Sequence, residues 1–287
     1  MKVCVACQGR FAAIDWQCPA CGWSPALHDT WPVFAPELAR HNDSFDAESF
    51  ANLAAFEPQH FWFRARNRLI TWALQTSFPD ARRFLEIGCG TGYVLMGIHD
   101  ACPSLELMGS EALNEGLSFA RARLPGVPLF QMDARRLPFD AELDVIGAFD
   151  VLEHIDEDEA VLGQMFQAVR PGGGIILTVP QHRFLWSVVD EYSHHRRRYR
   201  RRELISKVRR SGFHILRATS FVSALLPLFW LSRLRQNRRT FDPASEFKIP
   251  GTLNAVLERV LDVERRMIAS GISLPFGTSL LVVARRS

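Results

Sequence analysis

The 287-residue chain has no run of about 18 consecutive apolar residues, so no membrane-spanning helix is expected. Its opening, MKVCVACQGR, lacks the apolar core of a signal peptide and carries two cysteines instead, which points to a cytoplasmic protein. In that compartment the six cysteines suit metal binding or packing better than disulfides. Strong charge is missing too. Lys and Arg number 34 against 31 Asp and Glu, a net +3 that is too mild to argue for a nucleic-acid binder. Two nucleotide signatures are absent from the glycine-rich stretch FLEIGCGTGYVL, residues 84–95. A dinucleotide fingerprint needs its third glycine where Tyr93 stands, and no Gly-Lys-Ser/Thr ending marks a phosphate loop.

What is present begins at the cysteines. Cys4 and Cys7 form one CxxC and Cys18 and Cys21 a second, with ten residues between. Each knuckle aims two thiolates at one point, so two facing knuckles supply a tetrahedral shell for zinc. Four sulfurs leave no open position, which makes the expected zinc structural. The alternative is two unrelated cysteine pairs in a leader. His28 is a candidate substitute ligand, but a linker histidine is the simpler reading. The expected organisation is a zinc-ribbon-like module over 1–24 and a stiff linker over 25–40, holding Pro25, Pro32 and Pro36. A helical cap over 41–82 and an α/β domain over 83–287 complete it.

From Arg83 strand and helix patterns alternate, with strands expected at 83–87, 105–110, 127–132, 143–149 and 174–179. That alternation predicts a mostly parallel sheet with helices on both faces. Ligands of such sheets lie beyond the carboxyl ends of the strands. Acids stand at three of those ends: Glu86, Glu111 and Asp133. Glu111 follows Gly88 at about the spacing of a ribose-binding acid. Any one of them alone could be a helix cap or a solvated group, whereas three in succession form a pattern.

The stretches LEIGCGTG, DARRLPF, VLEHI and VRPGG resemble, in order and spacing, the motifs of class I S-adenosylmethionine-dependent methyltransferases. The resemblance covers roughly residues 83–220 and implies a Rossmann-like seven-stranded sheet. It implies that Glu86, Gly88, Cys89 and Gly90 hold the methionine end of S-adenosylmethionine. Glu111 with Ala112 would hold the ribose, Asp133 with Ala134 the adenine, and Asp150 would line the pocket floor. HFWFRARNRLI, residues 60–70, and DEYSHHRRRY, residues 190–199, are similar to the HFWFxxR and DExxGHxRRY segments of a bacterial subset. His194 departs from that pattern, which has glycine there. The match implies substrate contacts at His60, Arg197, Arg198 and Tyr199.

Methylating a hydroxyl needs positioning and a base near neutral pH. His195, after the fifth strand, is the leading candidate and His154 the second. The run HHRRRYRRR, residues 194–202, reads either as a solvated face or as a phosphate or carboxylate grip. Strands six and seven are expected at 212–222 and 277–286, with a helical insertion at about 223–276. Within it, 221–239 carries Phe229, Trp230, Arg233, Arg235, Arg238 and Arg239, a pattern fitting either a lid or a peripheral contact on the inner membrane face.

The leading expectation is O-methylation of a small-molecule, saccharide or lipid-linked substrate. The second is RNA methylation with the ribbon and the arginine run as nucleic-acid contacts. The third is a catalytically silent cofactor-binding scaffold, with the ribbon as its partner-binding module.

Overall fold

The computed structural model describes residues 1–40, 47–235 and 248–287. A two-stranded ribbon, β1 (Lys2–Val3) and β2 (Arg10–Phe11), leads into β3 (Ala26–His28), β4 (Trp31–Val33) and α1 (Pro36–Arg40). Two helices, α2 (Ala47–Phe56) and α3 (Phe61–Ser77), precede the alternating region. That region comprises β5 (Arg83–Ile87), α4 (Tyr93–Ala101), β6 (Glu106–Glu111), α5 (Asn114–Arg123), β7 (Leu129–Gln131) and β8 (Leu143–Phe149). It continues with α6 (Asp158–Ala168), β9 (Val169–Pro180), α7 (Val188–Tyr192), α8 (Arg201–Arg210) and β10 (Phe213–Phe221). Helices α9 (Leu226–Arg235) and α10 (Gly251–Ala269) and strand β11 (Ser279–Arg286) close the chain.

Successive strand residues point to opposite faces, so one sheet builds two cores. Phe84, Val145 and Ile176 pack with α3, α4, α5 and α10 on one face. Leu85, Ile146 and Leu177 pack with α6 and α8 on the other. Both faces being covered explains why these strands are continuously apolar.

The strand order is β10-β11-β9-β8-β5-β6-β7-β4-β3. β9, β8, β5, β6, β7 and β4 run parallel, while β11 is antiparallel to both β9 and β10. The chain winds outward from β5 through β6 to β7, then returns to β8 on the other side. The gap between β5 and β8 is therefore the switch point where ligands of such sheets bind.

The sheet has nine strands: the seven expected ones, β5 to β11, and two more from the segment 25–40. Its proline-containing segments fold as the β3–β4 hairpin and extend the sheet edge. Proline is tolerated in such peripheral pairing, and this short, broken pattern hid the strands from the sequence. Trp31 anchors the hairpin, buried and donating from Nε1 to Asn114 Oδ1 at 3.0 Å. The ribbon docks against this same edge. Trp16 meets Phe34, Phe130 and Phe139 edge-on, with centroids 4.8, 5.8 and 5.7 Å away.

In the insertion, α10 lies along α3. Asn254 accepts from the Phe61 backbone N–H at 2.8 Å and donates to the Gln59 carbonyl, while Glu258 pairs with Arg64 and Arg68. Arg238 and Arg239 lie outside the described residues. No helix among the described residues is long and apolar enough to cross a membrane. The reading of 221–239 as a peripheral membrane segment finds no support in its described part, where Leu225, Leu228 and Phe229 line a cavity over the sheet.

Candidate cofactor and acceptor site

The turn after β5 is built on glycines with positive φ: Gly88 at 65°, Gly90 at 51° and Gly92 at 75°. A Cβ on Gly88 would lie 2.5 Å from Val151 Cγ2, and one on Gly92 3.0 Å from Ala120 Cα. Conformation and space thus both require glycine at these two positions. Glu111, at the end of β6, fastens the turn. Its Oε2 accepts from the Gly90 N–H at 3.0 Å and its Oε1 from that of Ala112 at 2.7 Å. Burial pushes the Glu111 carboxyl up, against the pull of these backbone amides.

Beyond the turn lies a cavity of about 470 Å³, walled by residues 88–91, by Phe149 at the end of β8 and Asp150 after it, and by α3, α7, α9 and α10. Glu86 is among its lining residues. Burial holds this carboxyl well above the usual range despite the Arg66 guanidinium. Its Oε2 is buried without a hydrogen-bond partner among the described residues. An acid left unsatisfied under bare backbone fits the ammonium of an amino acid. Asp150, held at φ 59°, pairs with Arg66, whose guanidinium lies 4.5 Å over the Trp62 ring.

The acceptor side is a second polar cluster. Asp190 takes part in a capping box with Ser187 at the start of α7, and its other oxygen accepts from His195 Nδ1 at 2.9 Å and Arg198 Nε at 2.7 Å. Burial opposes ionisation of Asp190, but these donors outweigh it and hold its carboxyl below the usual range. His195 Nε2 then lies 4.0 Å from Glu153 Oε1, and the His154 ring meets the His195 ring edge-on at 4.8 Å. Burial and the neighbouring His195 push the His154 imidazole down to about 3, so it is neutral. His194 has φ 54°, a left-handed conformation that suits glycine better than a residue with a Cβ.

His60 caps α3, its Nδ1 accepting from the Trp62 N–H at 3.3 Å, and burial brings it down to about 4. It lines the cavity, as do Glu86, Gly88, Cys89, Gly90, Asp150, His154, His195 and Arg198. Glu111, Ala112, Asp133 and Ala134 are not among the lining residues. Asp133 is clasped by Arg135, with Nε 3.0 and 3.1 Å from its two oxygens.

Two expected substrate contacts, Tyr199 and Arg197, have internal partners and are not among the cavity-lining residues. Tyr199 is fully buried and donates to Asp158 Oδ2 at 2.6 Å. Arg197 pairs with Asp156 and Asp158 at 3.1 Å and lies outside the cavity wall. Both fasten the 190–199 segment to the start of α6 instead of facing a ligand.

Sequence reasoning missed four groups. Arg66 and Asp190 stand inside the HFWFxxR and DExxGHxRRY segments, so a signal existed for both. Glu57, joined to Thr91 Oγ1 and Arg123, locks α2 to the glycine turn and carried no local signal. Phe50 of α2 would stand 3.9 Å from a Cβ on Gly90, covering the turn from the Glu111 side.

In the ribbon, the sulfurs of Cys4 and Cys21 are 3.7 Å apart, as are those of Cys7 and Cys18. A tetrahedral site with bonds of about 2.3 Å has sulfur–sulfur edges of about 3.8 Å, so these two pairs stand at zinc spacing, and all four sulfurs lie within 4.8 Å of one another. Hydrogen bonding from the Cys21 backbone draws the Cys18 thiol down to about 7, easing its ionisation.

Three comparisons bear on this arrangement. A probable S-adenosylmethionine-dependent methyltransferase of Mycolicibacterium smegmatis is 30% identical over 123 residues, 42% of this chain and 46% of that protein. The malonyl-[acyl-carrier protein] O-methyltransferase of Methylococcus capsulatus is 27% identical over 149 residues, 48% of this chain and 54% of its own. The chain therefore spans about half the length of the curated relatives it matches. The fold is that of Haemonchus contortus phosphoethanolamine N-methyltransferase 2, solved with S-adenosyl-L-methionine: TM-score 0.58, 17% identity, 88% of this chain and 60% of the other. Residues 57–218, from the acid that locks the turn to the middle of β10, match the methyltransferase-domain family, and the chain belongs to that family.

Proposed function

We propose that the chain binds S-adenosylmethionine at the β5 turn and transfers its methyl group to an oxygen of a small-molecule, saccharide or lipid-linked acceptor. The observation that carries this reading is the buried, unpartnered Glu86 oxygen beneath a glycine turn that opens into the cavity. In it, Glu86, Gly88, Cys89 and Gly90 hold the methionine end, and Glu111 with Ala112 holds the ribose. Asp133 with Ala134 holds the adenine, in competition with Arg135, and Asp150 forms the floor. The ribbon carries a structural zinc on Cys4, Cys7, Cys18 and Cys21.

The acceptor oxygen attacks the methyl carbon in line with the carbon–sulfur bond, whose electron pair stays on sulfur. The acceptor proton passes to His195 Nε2, while Nδ1 remains bonded to Asp190, the arrangement that fixes a basic imidazole. His60 and Arg198 contact the acceptor. An oxygen acceptor is supported by a relative named as an O-methyltransferase. A small acceptor rather than RNA is supported by the arginine run, in which Arg197 and Arg201 are spent on internal partners.

The test is calorimetric binding of S-adenosylmethionine, followed by transfer of labelled methyl to fractionated bacterial extract, with Glu111→Ala as the blank. Label in the small-molecule, glycan or lipid fraction is the expected result. Label in RNA overturns the acceptor class, and absence of cofactor binding overturns the whole reading.

A further inference from the structure

The residues on the acceptor side have one feature that proton transfer alone does not use. Glu153 follows β8 in a short 3-10 turn, Leu152–His154, and is fully buried. Neither of its carboxylate oxygens has a hydrogen-bond partner among the described residues. The nearest basic atom, His195 Nε2, is at 4.0 Å, beyond hydrogen-bond reach. An ionised carboxylate left this way is costly, and burial pushes this one well above the usual range. The adjoining guanidiniums relieve it only in part. Arg66 is engaged by Asp150 and Arg198 by Asp190.

Two imidazoles stand beside that carboxylate. One ligand atom each from Glu153, His154 and His195 lies within 4.8 Å of the others. His195 is already oriented as metal-bound histidines are: Nδ1 faces the Asp190 carboxylate, which leaves Nε2 as the outward lone pair. All three residues line the cavity, so an ion among them would keep open positions toward a ligand.

We propose that Glu153, His154 and His195 form a binding site for one divalent first-row transition-metal ion, which holds and polarises the acceptor oxygen. Two imidazoles and one carboxylate are a donor set for manganese, iron, cobalt or zinc rather than for magnesium, which prefers oxygen throughout. At bond lengths of about 2.1 Å the donors would stand about 3–3.5 Å apart, so the side chains draw together by about 1 Å on binding. The ion satisfies both orphaned oxygens of Glu153 and occupies His195 Nε2. In the metal-bound chain the ion lowers the acceptor's pKa and the proton leaves to water, and transfer to His195 Nε2 belongs to the metal-free chain. This inference rests on the methyl-transfer reading for the identity of the ligand, but the site itself does not.

The experiment is titration with Mn²⁺ of the full chain carrying one equivalent of zinc, which the four thiolates of the ribbon take first, read by loss of the free-ion electron paramagnetic resonance signal, without S-adenosylmethionine. Thiolate sites select against manganese, so the ribbon does not compete. One Mn²⁺ per chain is expected. Asp190→Asn, which loosens His195 and also weakens the Arg198 pair, should weaken binding about 10- to 100-fold, and Glu153→Gln or His195→Asn by more. Circular dichroism checks the fold of each variant. Wild-type binding no tighter than that of Glu153→Gln and of His195→Asn overturns the site and leaves His195 as the base. Cofactor binding is measured in parallel on the same protein. Manganese binding without cofactor binding upholds the metal site and overturns the methyl-transfer reading.

Discussion

Replacing Gly88 with alanine perturbs the glycine turn in two ways that separate experimentally. The residue has φ 65°, and the added Cβ would stand 2.5 Å from Val151 Cγ2 and 3.2 Å from Cγ1. The left-handed conformation costs an L-residue about 1 kcal/mol. Forcing a methyl into Val151 adds about 2 kcal/mol of overpacking, for a total of about 3 kcal/mol. Val151→Ala alone should cost about 1 kcal/mol, since the side chain is only partly buried. The double variant keeps the conformational cost but loses the clash, so its total should be about 2 kcal/mol rather than the additive 4 kcal/mol. Urea unfolding of the four proteins at pH 7 measures this coupling. Calorimetry should find cofactor affinity lost in Gly88→Ala and only partly recovered in the double variant, because the turn stays distorted. Unfolding free energies that add to within about 0.5 kcal/mol would refute the steric reasoning.

Three further outcomes follow from particular contacts. His60 has a folded pKa of about 4 against an ordinary 6.5, so its contribution to stability is present above pH 6.5 and is lost as pH falls toward 4. After discounting for partial exposure this is about 1 kcal/mol between pH 7 and pH 5, and His60→Asn, which keeps the cap, should flatten that slope in denaturation measured across pH. His194→Gly should stabilise the chain by about 0.5 kcal/mol, the relief of φ 54° minus the entropy of glycine; a lower melting temperature would contradict it. Removing zinc with a strong chelator should release Trp16 from Phe34, Phe130 and Phe139, reported by a fluorescence change that Trp16→Phe abolishes. Unchanged emission on metal loss would show that the ribbon docks without its metal.

Both chemical clusters left marks in the sequence, of unequal clarity. The four thiols of the ribbon were legible because a metal shell needs fixed residue types at fixed short spacing. The turn at 88–92 was legible because positive φ and close approach admit only glycine at Gly88 and Gly92. On the acceptor side, His195 and His154 were legible as histidines after strands. That Asp190 orients one of them, and that Glu153 stands unpartnered beside both, was not. Those facts join β8, α7 and the segment after it across about forty positions of chain, and no local spacing encodes them. Tyr199 and Arg197 carry the marks of ligand contacts in one dimension and prove to be internal struts in three.

By itself the sequence determined the parallel α/β sheet, the order of its strands' chemistry and the two cysteine knuckles, because periodicity, glycine and sulfur act over a few residues. Tertiary structure alone decided that Pro32 and its neighbours extend the sheet instead of leaving it, and that α10 braces α3. It also decided which acids face the cavity and which are taken by a neighbour. Those outcomes depend on what packs against a segment from elsewhere in the chain. Burial and partner together set the charge of a side chain, and both exist only once the chain has folded.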